Sequence, residues 1–244
     1  MILLVGSHND DLLYVSSLLS NKKENDFIGG LTLISGQIFS QEILLVVGAY
    51  TQAMASAVVS TLLERYFINL VFVMGRCYSL NHSFKKGQII ISRQIASLDV
   101  DLVDVANVRV HTVPGLPAFY RVQQDVVGYV ESGFTKRTLS VGKVANIYST
   151  DSLSSLSVAT SKKNKGILGN EEDFVVDATS FGVALSCYLC DIPCVSVKAV
   201  ERDLSELKKI EDYVGLLDRY EEMGKAVVYA IGDIGRNDVL RMRK

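Results

Sequence analysis

The residues of this chain that could do chemistry gather where apolar runs stop. Asp11 follows Ile2–Val5 and its closing Gly6, and Asp177 follows Phe174–Val176. Glu201, Arg202 and Asp203 follow Cys194–Val200, and Gly75, Arg76, Cys77, Tyr78 and Ser79 follow Asn69–Met74. Carboxylates in such places can transfer protons, activate water or stabilise a developing cation. Arg76 can meet an anionic ligand, or serve as a surface or ion-pair residue. Asp11 also suits the first turn of a helix, where the dipole favours an acid. The triplet Glu201–Asp203 also suits a solvated cap before a C-terminal helix, and Asp177 a helix start before Ser180.

Cysteine chemistry is a further candidate. Cys187, Cys190 and Cys194 lie in "CYLCDIPC", and Cys77 stands alone. A Cys-x-x-Cys pair can bind metal or cycle redox state. Here its neighbours are apolar, Pro193 interrupts it, and neither a second pair nor a nearby His completes a tetrahedral set. Cysteine as a small core residue accounts for the pattern, and no metal site is expected.

The elements that must position these residues follow from hydrophobic periodicity. Ile2–Val5 reads as a buried strand. A helix capped by Ser7 or Asn9 follows, carrying Leu12, Leu13, Val15 and Leu18. "GGLTLISGQIF" and "EILLVVGAY" read as successive antiparallel strands turning near Gln41. Thr51–Tyr66 is predicted as a helix, capped by Thr51 and burying Ala53, Ala55, Val58, Leu62 and Leu63. Asn69–Met74 reads as a strand covered on both faces. Further strands are expected at Gln88–Ser92, Asn107–His111, Val141–Tyr148, Phe174–Val176 and Cys194–Val200. Helices are expected at Phe119–Ser132, Ser180–Cys190 and from about Leu204, with a break near Tyr213. Ser149–Asn170 is rich in Ser, Lys and Asn and reads as an exposed, mobile connection.

Strands alternating with helices imply an α/β fold with a mainly parallel sheet. In such sheets ligands sit at the carboxyl ends of the strands. Six stretches therefore matter: Gly6–Asp11, Gly48–Gln52, Gly75–Ser79, Ser149–Leu153, Asp177–Ser180 and Glu201–Asp203.

Composition narrows the functional classes. The 244 residues are 48% hydrophobic and 21% charged, with a formal net charge of -2, which suits one large globular domain spanning 1–244. No basic stripe points to nucleic acid and no segment is suited to spanning a bilayer. The N-terminus lacks a basic n-region and soon meets acids. It reads as a first core strand rather than a signal peptide, so a cytoplasmic protein is expected.

Several stretches, in their order, resemble the nucleoside phosphorylase/nucleosidase superfamily, above all the bacterial methylthioadenosine/S-adenosylhomocysteine nucleosidases. "TLLERYFINLVFVMGRCYSLNHSFKKGQIIIS" is similar to the family's helix, strand, Gly-Ser-Ala-Gly-Gly loop and following strand. "LDVDLVDV" is similar to its His-Asp-x-Asp segment, "VPGLPAF" to its Pro-Gly-x-Pro loop, and "IYSTDS" to its Ser-Gly-Asp stretch. "VVDATSFGVALSCYLCDIPCVSVKAV" is similar to the family's acidic strand end, helix and final strand. The resemblance runs from Met1 to about Arg202. It implies a single-domain three-layer αβα sandwich around a mixed, mainly parallel sheet. It also implies N-glycosidic bond cleavage in a purine nucleoside such as methylthioadenosine or S-adenosylhomocysteine, with no cofactor, and a homodimer in which Pro114–Pro117 nears the partner.

The resemblance also implies roles. Asp11 falls where the nucleosidases carry a water-activating Glu, and its shorter side chain moves the carboxylate by about 1 Å. Gly75, Arg76 and Tyr78 fall in the substrate loop, where Tyr78 and Ser79 replace glycines. Leu153 takes the place of the purine-stacking aromatic. Asp177, Ala178 and Thr179 replace the ribose-binding Glu-Met-Glu, so the hydroxyl-holding carboxylate becomes Thr179. Arg202 falls on the catalytic Asp, and a one-residue slip brings Glu201 or Asp203 to that place; Asp203 is the candidate acid and Glu201 a candidate binding residue. The family's Gly-x-Gly-Lys becomes Ala49–Gln52, which removes glycine amides and a lysine that phosphorylases use for anions. So many changes together imply either hydrolysis with altered residues, or a catalytically degenerate relative that binds a nucleoside-like ligand or a protein. Phosphorolysis is the remaining alternative.

Overall fold

The computed structural model describes residues 1–79, 84–100, 102–108, 111–137, 142–151, 174–203 and 217–236. Its centre is built from apolar runs that need cover on both faces. Strand β1 (Ile2–Gly6) lies between β4 (Gln41–Val47) and β5 (Leu70–Ser79), parallel to both. Alternate side chains feed two cores. Ile2, Leu4, Ile43, Leu45, Leu70 and Phe72 join one, and Leu3, Val5, Leu44, Val46, Val71 and Val73 the other.

The helices divide between those cores. Helices α1 (Asn9–Ser17), α4 (Gln124–Arg137) and α6 (Leu217–Arg236) pack together over the first face. Helices α2 (Gln52–Arg65) and α5 (Ser180–Leu189) pair over the second. Gly182 lets α5 approach α2 closely, because a Cβ there would collide with the Gln52 carbonyl. The result is a three-layer αβα arrangement around a mixed sheet.

The far half of the sheet curls into a ring. Strand β10 (Cys194–Asp203) runs parallel to β5 and antiparallel to β6 (Ile89–Ser97). From β6 the path passes in parallel to β8 (Gly142–Ser149) and β9 (Phe174–Asp177). The single pair Tyr78 and Val176 then returns it to β5. Closure brings the ends of β5, β8, β9 and β10 to one place. The short β7 (Tyr120–Arg121) pairs with β6, and α3 spans Val103–Ala106.

Several expectations need correction. β2 (Ser20–Phe27) is a strand without an apolar pattern; it pairs with β3 (Leu31–Ile38) at the sheet edge, where polar residues face water. Leu13 of α1 and Leu18, which caps its end, are exposed, because the helix stops at Ser17 and turns only Leu12 and Val15 inward among its apolar residues. Ala53 is exposed and Val59 is buried in α2. The helix predicted from Phe119 starts at Gln124, since β7 occupies Tyr120 and Arg121. Asn107 and Val108 are not strand, and Asn107 has φ 49°. β5 and β10 extend to Ser79 and Asp203, so the expected substrate loop begins as strand. The predicted connection after Asp151 and the helix start near Leu204 lie outside the described residues. Among the described residues, no helix is long and apolar enough to cross a membrane.

Candidate functional site

The turn from β1 into α1 delivers Asp11. Its Oδ2 accepts the amides of Ser7 at 2.9 Å and His8 at 2.8 Å, which fastens the start of the helix. Gly75 lies against this carboxylate with φ 143°, and a Cβ there would stand 3.0 Å from Oδ2. Glycine thus lets Asp11 settle on the end of β5. Asp11 is 1% exposed and its Oδ1 has no partner among the described residues. Burial lifts its pKa above the ordinary value, against the opposing pull of the His8 amide, Lys198 and Arg76.

Arg76 is half-buried, and its guanidinium lies over the Tyr220 ring of α6 at 5.8 Å. Burial works against its charge, but Tyr220, Asp11, Glu201 and Tyr78 outweigh that effect and hold it protonated. Asp11 and Glu201 around one guanidinium leave the cluster with a net negative charge when both are ionised. Tyr220 is 4% exposed and its hydroxyl has no partner among the described residues.

Glu201 enters this cluster through a bulge. Val200 pairs with Cys77 and Arg202 with Tyr78, so Glu201 is the extra residue of β10. A bulge re-aims the side chain it carries. Glu201 is 8% exposed, receives the Tyr78 hydroxyl, and keeps Oε2 without a partner among the described residues. Burial, then the charge and hydrogen bond of Glu201, push the Tyr78 phenol well above its ordinary pKa. Arg202 points to the exposed side, with its guanidinium 5.8 Å from the Tyr78 ring centre. Asp203 is half-buried opposite Ser79. Glu201 acts electrostatically on Arg76.

A second polar cluster sits beside the first at the ends of β8, β9 and β10. Asp177 and Lys198, each 1% exposed, form an ion pair at 2.9 Å. Asp177 also accepts Ser149 Oγ at 2.5 Å, and the Ser180 amide and hydroxyl at 3.1 Å and 2.5 Å. Thr179 Oγ1 lies 3.4 Å from Asp177 Oδ2 and accepts Lys198 Nζ at 3.1 Å. Burial alone would raise the Asp177 pKa, but Lys198, Ser149 and Ser180 hold it below its ordinary value. Asp177 therefore starts α5 while holding a buried lysine. Ala178 is half-buried beside it.

A third cluster closes the start of α2. The Gln52 amide is accepted by Asp151 Oδ1 at 2.8 Å, and Thr51 Oγ1 accepts the Met54 amide at 3.1 Å. Asp99 accepts Gln52 Nε2 and Thr150 Oγ1, both at 2.6 Å, and the Asp151 amide at 2.8 Å. An internal carboxylate thus takes an amide at a helix start that would favour an external anion.

The candidates sort accordingly. Asp11, Gly75, Arg76, Tyr78 and Glu201 meet in the first cluster, and Asp177 and Thr179 in the second. Leu153 lies outside the described residues. Lys198 and Tyr220 were missed. Lys198 stands out as a charge inside the apolar run "CVSVKAV", whereas Tyr220 reaches the site from a distant helix and has no local signal. Cys77 and Cys187 are buried, and burial pushes the Cys77 thiol well up. Cys190 is exposed at the end of α5, so the core reading fails there because the helix turns that position outward. Among the described residues no group of three His, Cys, Asp or Glu side chains is arranged to hold a metal.

Comparisons with known proteins agree with this architecture. A family model described as the phosphorylase superfamily matches residues 1–231. A 5'-methylthioadenosine/S-adenosylhomocysteine nucleosidase of Staphylococcus carnosus is 22% identical over 201 residues, 82% of this chain and 85% of the relative. The nucleosidase of that name from Neisseria meningitidis, solved with methylthio-immucillin-A, superposes with a TM-score of 0.82 at 17% identity, covering 95% of this chain and 98% of that one. The futalosine hydrolase of Helicobacter pylori gives a TM-score of 0.82 at 15% identity, covering 95% and 97%.

Proposed function

The chain belongs to the phosphorylase superfamily, and on that premise we propose that it is a purine N-ribosyl hydrolase. The substrate class is a purine nucleoside such as methylthioadenosine or S-adenosylhomocysteine, as in the names of its relatives. One observation carries the reading: a buried carboxylate, Asp11, with one oxygen pinned by two amides and the other without a partner among the described residues. Such a group is oriented and has one oxygen left to take a proton from water. Its raised pKa keeps it basic enough for that task. Negative charge from Asp11 and Glu201 stabilises the cationic sugar that forms as the glycosidic bond breaks.

Hydrolysis is favoured over phosphorolysis by the third cluster. The Gln52 amide is already given to Asp151, and the turn before it carries Ala49 and Thr51 at the places of the family's glycines. The competing reading is a relative that binds its ligand without cleaving it. It is supported by Arg202, an exposed cation at the place where the family carries its acid.

The deciding assay incubates purified protein with methylthioadenosine, S-adenosylhomocysteine, inosine and adenosine, with and without phosphate. Base release without phosphate is expected. Release only with phosphate selects the phosphorylase, and no release from any substrate selects the binding protein. We also propose that the protein is a cytoplasmic homodimer formed from one domain, on the retained segment Pro114–Pro117. Light scattering that gives a monomer at working concentration refutes the dimer.

A further inference from the structure

Three thiols gather where α5 ends and β10 begins, at the opposite end of the sheet from the carboxylates. The backbone there folds back on itself. The Ile192 amide donates to the Cys187 carbonyl at 2.8 Å, and Asp191 turns the chain with φ 53°. Pro193 then fixes the approach to β10, its carbonyl accepting the Val71 amide at 3.0 Å. Cys190, which caps the helix, is exposed, whereas Cys187 is buried and Cys194 half-buried.

This turn brings Cys187 and Cys194 to one level. At the start of α5, Ser180 and Ser196 share a hydrogen bond of 2.7 Å. From that contact α5 descends about 10 Å to Cys187 and β10 runs about 7 Å back to Cys194. Cys194 accordingly packs against the apolar cluster that holds Cys187, and the two thiols share a hydrogen bond. A cavity of about 300 Å³, lined in part by Cys190, Ile192 and Pro193, opens beside the turn.

We infer that Cys187 and Cys194 form a reversible disulfide when the protein meets hydrogen peroxide, which makes this turn a site of oxidative modification. Cys194 reacts first, because it meets solvent and because its hydrogen bond, then burial, push the Cys187 thiol well above the ordinary value. The Cys194 thiolate takes one peroxide oxygen, the O–O bond breaks, and hydroxide leaves as water with the proton the thiol gave up. The Cys187 sulfur then attacks the resulting sulfenic acid at sulfur and expels hydroxide, which departs as water with the Cys187 proton. Two thiols are oxidised and one peroxide is reduced to water. Neither Asp11 nor Glu201 takes part, so the modification stands independently of the hydrolase reading.

The test uses the full chain, reduced, freed of reductant and titrated with hydrogen peroxide. Of its 4 thiols, two are expected to disappear from a thiol assay in denaturant, and dithiothreitol is expected to restore both. Cleavage after Tyr188 and before Asp191 places Cys187, Cys190 and Cys194 on separate peptides, so mass spectrometry reads which two are joined. Cys190→Ser is expected to keep the joined pair and Cys187→Ala to lose it. If Cys187→Ala lacks a melting transition, Cys194→Ser carries the same comparison and is expected to show the same loss. A wild type that keeps every thiol, or joins a pair that includes Cys190, overturns the inference. So does a restorable loss of two thiols that persists in Cys187→Ala or Cys194→Ser.

Discussion

Two polar clusters sit side by side at the carboxyl ends of the same sheet, and they differ in how completely their hydrogen bonds are used. Around Asp177, two serine hydroxyls, an amide, a threonine and a buried ammonium occupy both carboxylate oxygens. Around Arg76, Asp11 Oδ1, Glu201 Oε2 and the Tyr220 hydroxyl are buried and without partners among the described residues. Burial acts on both acids, yet Asp177 ends below its ordinary pKa and Asp11 above it. The difference lies in the partners. A carboxylate surrounded by donors is a structural tie, whereas one held by two amides on a single side keeps an oxygen for a ligand.

The sharpest way to break this comparison is to neutralise each acid in turn. Asp177→Asn leaves Lys198 buried without its counter-charge. Loss of one partner from a buried pair costs about 3–5 kcal/mol, which lowers the melting temperature by about 10 °C. Asp11→Asn removes a charge that burial disfavours, so its melting temperature is expected to stay level or rise slightly. Calorimetric melts of the two variants decide the matter. Equal losses at both positions refute the division into a closed and an open cluster.

Activity is expected to reverse that order. With methylthioadenosine as substrate, Asp11→Asn is expected to lower kcat about 10²- to 10⁴-fold, the usual contribution of a positioned base. An Asp11→Asn enzyme at full rate removes Asp11 from catalysis and with it the observation on which the proposed reaction rests.

A subtler separation comes from pH. The folded pKa of Asp177 is depressed, so its stabilising contribution is present above the ordinary value of 3.8 and lost as pH falls through the lowered one. The folded pKa of Asp11 is raised, so its contribution is full below 3.8 and lost as pH rises through the raised one. Stability against pH should therefore lose part of its acid limb in Asp177→Asn, whereas Asp11→Asn should be relatively more stable toward neutral pH. In kcat/KM, hydrolysis should fall on the acid side above 3.8, because Asp11 must be ionised to accept a proton from water. An acid limb unchanged in position by Asp11→Glu would assign it to another group.

How much of this was legible in the sequence follows from range. The runs at Ile2–Val5, Ile43–Val46 and Leu70–Met74 are visible because a strand buried on both faces must be continuously apolar. β2 is hidden because an edge strand gains its pairing from β3 and leaves no hydrophobic trace. Asp11 and Gly75 are legible as strand-end residues, but their mutual contact depends on β1 and β5 lying side by side. Glu201 is the instructive case. Sequence leaves Glu201 and Asp203 as alternatives around Arg202, and only the slipped register between Val200 and Arg202 brings Glu201 to Arg76. Lys198 is legible as a charge in an apolar run, but its partner Asp177 is 21 positions away, and the pairing requires β9 and β10 to converge in the ring.

Arg202 supplies the smallest effect and the finest discrimination. Its guanidinium lies over the outer face of Tyr78 and the residue is exposed. An exposed cation on an aromatic ring contributes about 0.5–1 kcal/mol, so Arg202→Ala should lower the melting temperature by only a few degrees. Its influence on binding runs through Tyr78 to Glu201. Loosening the ring should raise KM for methylthioadenosine a fewfold while leaving kcat nearly unchanged, since Arg202 is exposed and lies over Tyr78 whereas Asp11 is buried. A large drop in kcat would instead place the Arg202 side chain at the reacting atoms. The open cluster would then extend to the outer face of β10, and the boundary drawn here between buried Glu201 and solvent-facing Arg202 would have to move.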